Sequence, residues 1–338
     1  MNKGDYSVEF EVITPGLAGE IEQQFEGIHF HVSQHPRLAL FSKNHCFVLR
    51  QHNAIIAYAI VEVYRFHKAV LEFGPILSSA NVNLHEVFQQ LFIVLRKNSI
   101  WYLCYQGASE ALNNYIPTPY IIQRTAGWAT AFKYIALSPA ALIGSFRENH
   151  QRNIKKAQRQ QIEAKTLSTE GEFKQLIGIF HLMYSTRKIH YYKNSLEKEL
   201  WALFHYIQET GNGIILIAQF NSQILGGIMI THNWNSAYYY FGASNRTSKL
   251  PIMHLLFLKA FEHLTLKGIV SFDFGGYDAL EMDNQFIALN NFKDGFGVQV
   301  HQYPDKLCIA THKIGGPFIA WLMQTKKSVL QIWGKHIS

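Results

Sequence analysis

A single cation set among glycines and aromatic residues is the first chemical feature of this chain. The run from Ile269 to Gly297 reads IVSFDFGGYDALEMDNQFIALNNFKDGFG, with Gly275 and Gly276 closing an apolar stretch and Phe292-Lys293 preceding a second group of glycines. An apolar strand that ends on paired glycines opens a loop where a ligand can come close to the backbone. A lysine beyond such a loop can stabilise negative charge that develops on an oxygen. The same residues also suit a strand, a turn and a core helix with one exposed lysine. Asp273 sits inside the apolar run and reads as a buried carboxylate that fixes the loop. Asp278 and Glu281 are weaker choices for a general base.

Three further groups can grip polar ligands. Arg152, Lys155, Lys156 and Arg159 lie within one segment. Arg152, Lys156 and Arg159 share a helical face, which can hold successive phosphates or be a solvated surface. In MYSTRKIHYYKNS, Arg187 offers a planar fork to a phosphate or carboxylate, and Tyr191 an orienting hydroxyl. The alternative there is a helix end whose cations suit its dipole. Finally, Tyr238, Tyr239 and Tyr240 alternate along a strand, so that two rings share a face. The histidines His29, His31 and His35 have no acidic or Cys partner at ligand spacing, and no metal site is expected.

The elements that must position these groups fall into two halves. Residues 1–138 alternate β-rich runs (VEFEVI, CFVLRQ, IIAYAIVEVYRF, AVLEFG, IWYLCYQ) with helical spacing at 16–26 and 84–98. The stretch 106–127, with Pro117 and Pro119, reads as an irregular connection. Ser138 can cap a helix that opens on Pro139, which places a domain boundary there. Helices are then expected at 139–161, 171–190, 195–209 and 250–267, the last closed by Gly268. Strands are expected at 214–220, 223–231, 236–243 and 269–275. Pro317–His336 reads as a helix with Phe318, Trp321, Leu322, Val329, Ile332 and Trp333 on one face. That face suits packing on the protein, and its Trp and Lys residues also suit a membrane interface.

Composition limits the function classes. The 338 residues, 48% hydrophobic, fit two globular domains. No apolar run is long enough to span a bilayer and the first residues lack the pattern of a secretion signal, so a cytoplasmic protein is expected. Cys46, Cys104 and Cys308 are odd in number and far apart in sequence, which suits reduced thiols. The net charge of +7 is uneven. Residues 139–165 hold six basic and two acidic side chains, and residues 313–338 hold four Lys and no acid. Such patches suit phosphate-bearing partners or an anionic membrane surface.

FDFGG followed by FKDGFG resembles the C-terminal signature of the Fem-type (FemABX) peptidyltransferases. Three more stretches match that family in order: LEFGPIL (71–77), RENHQRNIKKAQRQQIEAK (147–165) and YYYFGAS (238–244). The resemblance spans roughly residues 30 to 300 and is to compact members, without a coiled-coil arm. It implies an α+β protein of two tandem GNAT-like domains, mixed sheets flanked by helices, over 1–138 and 139–312, with the tail 313–338 returning to the first. By the same resemblance Lys293 and Phe292 would lie at the transferred aminoacyl group and the tRNA end. Arg187, Tyr191, Tyr240, Gly275 and Gly276 would line the acceptor site, and Arg152, Lys155, Lys156 and Arg159 would meet the tRNA.

Two departures qualify what the resemblance implies. Acetyl-CoA-using GNAT domains open their long helix on a glycine-rich pyrophosphate cradle. Here that place reads NRTSKLPIMHLL, with no glycine and with Pro251 where an amide is wanted. The family's Q-S-x-x-W-x-x-V-K run, whose Lys binds precursor phosphates, corresponds to FHVSQHPRLALFSK, which keeps Ser33, lacks the Trp and has Leu40 at the Lys position. Arg37 or Lys43 would have to substitute. The expected function is transfer of an amino acid from aminoacyl-tRNA to an amine of a muropeptide, a lipid-linked precursor or a related envelope acceptor. No cofactor is expected. The alternatives are an acyl-CoA-dependent N-acyltransferase in envelope or exopolysaccharide synthesis and a non-catalytic binding protein on the same fold. Peripheral contact with the inner face of the membrane through the C-terminal helix is a further expectation, and the oligomeric state is open.

Overall fold

A computed structural model describes residues 6–28, 31–186, 193–245, 249–278 and 284–321. The chain forms two compact units, Met1–Trp128 with Tyr303–Ser338, and Ala129–Gln302. In chain order the first unit holds β1 (Tyr6–Val12), α1 (Pro15–Gln24), α2 (Pro36–Ser42), β2 (His45–Gln51), β3 (Ala54–Tyr64), β4 (Lys68–Glu72), β5 (Ile76–Leu77), α3 (Leu84–Lys97), β6 (Tyr102–Gln106), α4 (Glu110–Asn114) and β7 (Ile121–Thr125). The second holds β8 (Ala129–Tyr134), α5 (Pro139–Gly144), α6 (Glu148–Arg159), β9 (Glu163–Thr166), α7 (Glu170–Thr186), α8 (Lys193–Thr210), β10 (Gly213–Phe220), β11 (Gln223–Asn233), β12 (Ser236–Ser244), α9 (Ile252–Leu266), β13 (Ser271–Tyr277), α10 (Asn284–Asp294) and β14 (Gln299–Gln302). The chain then re-enters the first unit with β15 (Lys306–Ala310).

The sheet of the first unit runs β1-β2-β3-β4-β6-β15-β7, with β5 joined to β3. Both faces are buried, and strand alternation divides the residues between them. Phe47, Leu49, Ala57, Ala59 and Val61 face α3 through Val87, Leu91 and Leu95. Their neighbours Cys46, Val48, Tyr58 and Ile60 face α1 through Leu17 and Ile21. Thr14 caps α1 and Asn83 caps α3 through side-chain oxygens, so the α3 boundary is legible in the sequence.

Three expectations change here. First, residues 106–127 are not irregular throughout, because Ile121–Thr125 pairs with β15 from far along the chain. Second, the boundary lies at 128/129 and not at Ser138-Pro139, because β8 pairs with β13 and β14 in the second sheet. Third, the return to the first unit begins before residue 313, since β15 is an interior strand between β6 and β7. Residues 315–321 continue as helix, and Ile319 and Ala320 pack on Tyr102 and Cys308. The remainder of the expected C-terminal helix lies outside the described residues. Strand pairing also sets Cys104 directly opposite Cys308, two thiols distant in sequence.

The second sheet runs β14-β8-β13-β12-β11-β10-β9. One face is covered by α6 and α9, through Ile154, Ala157, Leu256, Phe257 and Phe261 packed on Ile228, Ile230, Phe272 and Phe274. On β11 and β12 the other face meets α7, where Phe180 lies against Phe241. The expected single helix 139–161 is broken: Ser145 closes α5 and Arg147 starts α6, leaving the buried Phe146 in the core between them.

Candidate active site

The second sheet is antiparallel except where β12 meets β13, and that parallel pair comes apart. Its register runs only from Ser236–Ser271 to Tyr238–Asp273, although β12 continues to Ser244 and β13 to Tyr277. Each strand carries an irregularity just there. On β12, Tyr239 and Phe241 pair with successive β11 residues, Ile230 and Met229, so Tyr240 is an extra residue. On β13 the pairing to β8 shifts between Asp273 and Gly276. Such bulges add local bend and twist, and two of them on neighbouring strands open a wedge. Gly275 adopts φ +72°, a left-handed conformation that any other residue would occupy only with strain.

Opening a sheet strands its backbone polar groups, which must find other partners. Lys293 provides them. Its Nζ donates to Gly275 O at 3.0 Å and to Gly276 O. Asp273 serves the same loop from the other side, accepting Gly275 N–H at 2.7 Å and the Thr130 hydroxyl. The lysine is only 3% exposed, so the reading of one exposed Lys fails. Burial lowers its pKa to about 8, against the opposing pull of Asp273. Burial likewise raises the Asp273 pKa, although the Thr130 and Gly275 hydrogen bonds oppose the shift. Two of the three ammonium donors are used on carbonyls, which leaves one N–H. The result is a buried cation, still mostly protonated at neutral pH, fixed beside a gap in a sheet.

Helix α10 is held for this purpose by α6. His150 Nε2 donates to Phe292 O at 2.9 Å, and Arg147 N–H donates to Gly295 O at 2.8 Å. Asp294 accepts the Tyr277 hydroxyl at 3.1 Å and lies 3.6 Å from the Arg147 guanidinium. Gly295 is a glycine for lack of space: a Cβ there would stand 1.9 Å from the His150 ring. Burial lowers the pKa of both His150 and His254, the latter to about 4, so both rings are neutral at pH 7.

Residues 144–293 match the Acetyltransferase (GNAT) domain family. No curated protein matches the chain. Among solved structures it is similar to FemX, with a TM-score of 0.68 at 12% identity over 93% of this chain and 99% of that one. This chain has the tandem GNAT fold of FemX. The C-terminal domain (DUF2156) of a putative lysylphosphatidylglycerol synthetase from Agrobacterium fabrum is also similar, with a TM-score of 0.62 at 11% identity over 90% of this chain and 95% of that one. A tandem GNAT protein from the clavulanic acid biosynthesis pathway gives a TM-score of 0.55 at 9% identity over 90% and 99%. At these identities the likeness is one of fold. The family match to a GNAT acetyltransferase domain falls inside the second unit.

In this GNAT unit Lys293, Gly275 and Gly276 come together at the wedge. Tyr240 stands on its β12 wall beside Tyr238, with ring centroids 5.6 Å apart. Tyr239 turns to the opposite face and meets Phe257 of α9. The ring of Phe292 sits in an aromatic cluster with His254 at 5.2 Å, Phe296 at 5.3 Å and His150 at 5.5 Å. It meets His254 and Phe296 edge to face and His150 at a tilt. Arg152, Lys155, Lys156 and Arg159 are exposed on α6, opposite the buried Ile154 and Ala157. Arg152 is 3.5 Å from Glu148. Arg187, Tyr191 and Glu281 lie outside the described residues. Asp278 is placed by exchange with Asn290, which accepts its N–H at 3.2 Å and donates to its carbonyl at 2.8 Å.

Sequence reasoning missed Thr130, His150 and Tyr277. Thr130 and Tyr277 are ordinary strand residues until β8 and β13 are paired. His150 carried a hint in the glycine three residues past Phe292, which marks a close approach without naming its partner. Arg37, offered as a phosphate ligand, pairs with Glu22 at 2.7 Å.

Proposed function

We propose that this chain moves an aminoacyl group from aminoacyl-tRNA to an amine of a peptidoglycan precursor or a related envelope acceptor. The observation that carries the proposal is the Lys293 ammonium, buried at the open end of the parallel strand pair with one N–H left over. In the reaction the acceptor amine attacks the ester carbonyl. A C–N bond forms, the C–O bond to the ribose breaks, and the amine proton passes to the released hydroxyl. Negative charge grows on the carbonyl oxygen, and the spare N–H of Lys293 stabilises it. Preorganised donors of this kind are worth about 10²–10³ in rate. Gly275 and Gly276 leave the backbone open to the acyl group, and Tyr238 and Tyr240 wall the gap. Asp273 is occupied by Thr130 and Gly275 and acts as a positioning residue.

A polyanionic donor fits the rest of the unit. Four exposed cations crowd α6, and α9 opens on Pro251 with no glycine among Asn245–Leu256 to cradle a pyrophosphate. A second reading, acyl transfer from acyl-CoA, is favoured by the family match to acetyltransferases. The test is donor exchange: protein with a charged tRNA mixture or with acetyl-CoA, plus a muropeptide amine, for wild type and Lys293→Met. Lys293-dependent loss of the aminoacyl group to the muropeptide supports the proposal. Acetyl transfer without a tRNA effect replaces it with the second reading. Binding without transfer of either group leaves a non-catalytic binding protein.

A further inference from the structure

One end of the first unit exposes several large aromatic side chains. The β3–β4 connection is a three-residue loop, Arg65-Phe66-His67, closed by the Tyr64–Lys68 pair. Phe66 has φ 62° and His67 φ 58°, positions where hairpins ordinarily place Gly or Asn. Phe66 is 75% exposed and Tyr64 50%. A bulky apolar residue held in a left-handed conformation and left in water gains nothing for the fold.

The same surface continues onto the helical segment 315–321. His67 stacks on Trp101 at 4.0 Å, Trp101 lies 5.5 Å from His312, and the Cα of Gly315 packs against the Trp101 ring. Trp101 therefore joins the hairpin tip to the helix. That helix buries Ile319 and Ala320 and turns Phe318 and Trp321 outward, at 53% and 57% exposure, and Ile314 just before it is 80% exposed. Arg65 in the loop and Lys313 before the helix are exposed cations, while the Lys68 ammonium lies 5.5 Å over the Tyr64 ring, whose hydroxyl donates to Glu62.

We propose that this patch docks the protein on the surface of an anionic phospholipid bilayer. Two elements far apart in sequence, a hairpin tip and a helix face, are joined through Trp101 and both expose aromatic residues, with Arg65 and Lys313 exposed on the same two segments. Aromatic rings of this kind settle at the boundary between headgroups and acyl chains, and the cations meet the lipid phosphates. No helix among the described residues is long and apolar enough to cross a membrane, so the contact is peripheral. The inference rests on the first unit alone and does not depend on the donor or acceptor of the transfer reaction.

The test is co-sedimentation of the full chain with vesicles of phosphatidylcholine alone and of phosphatidylcholine mixed with phosphatidylglycerol, whose headgroups supply a negative surface potential. The variants are Phe66→Ser with Phe318→Ser, and Arg65→Gln with Lys313→Gln. All four positions are exposed, and the melting curve of each variant is compared with wild type to confirm the fold. Preferential binding to the anionic vesicles is expected, reduced roughly tenfold by either pair and by raised salt. Equal affinity for both vesicle types, no binding, or binding that neither pair of substitutions weakens overturns the proposal. No donor or acceptor is present in this assay, so its outcome is separate from that of the transfer experiment.

Discussion

Replacing Lys293 with Met removes a buried charge and two hydrogen bonds while keeping an unbranched chain of similar length. The drop of the lysine pKa from 10.5 to about 8 follows from its burial. At 1.36 kcal/mol per pH unit, that is about 3 kcal/mol of penalty on the charged form. The sign is fixed by linkage: between pH 8 and pH 10.5 the unfolded chain holds this proton and the folded chain does not, so stability rises with pH across that window. Below pH 8 the penalty is fully present. The Met variant has no such proton, but leaves the Gly275 and Gly276 carbonyls without their donor, at about 1–3 kcal/mol each. Urea unfolding of both proteins at pH 7 and pH 10 isolates the lysine, because every other titrating group is shared. Wild type should gain about 2 kcal/mol on the variant between those pH values. A difference that stays flat would mean that Lys293 titrates like a solvated lysine. The buried cation, and the oxyanion role built on it, would then both be refuted.

Further outcomes are expected from the same geometry. Gly295→Ala drives a methyl group into the His150 ring and should cost about 1–3 kcal/mol in thermal unfolding, partly recovered in the double variant with His150→Ala. Gly275→Ala imposes φ +72° on an alanine and should destabilise by about 1–2 kcal/mol, with a loss of transfer larger than that of any surface control. His254, with its pKa held down at about 4 by burial, remains neutral in the folded state while the unfolded chain takes up a proton below pH 6.5. Wild type should therefore lose about 2 kcal/mol relative to His254→Phe as pH falls from 6.5 to 4.5, read by denaturant unfolding. Changing Arg152, Lys155, Lys156 and Arg159 to Gln should flatten the salt dependence of charged-tRNA binding and weaken it, and an unchanged slope would remove α6 from the donor site.

The sequence by itself determined the local pieces. The caps at Thr14, Asn83 and Ser138, the helical spacing of 84–98, and the close of α9 before Gly268, whose φ is +79°, are decided by residues within a few positions of one another. Four ordered motifs also indicated the fold before any strand was paired, because backbone demands at glycines and turns leave a local mark. Pairing between distant segments was decided by tertiary structure alone. β7 and β15 lie 180 residues apart as the chain runs from Thr125 to Lys306, and no local pattern announces that they are neighbours. The same holds for Cys104 beside Cys308. At the candidate site, the sequence singled out Lys293 and the paired glycines but left open whether the lysine was exposed. The answer depends on two bulges that open the β12–β13 pair and leave carbonyls to be satisfied. A cation can be named from its letter, but its charge state and partners are set by the desolvation and hydrogen bonds that only the assembled sheet creates.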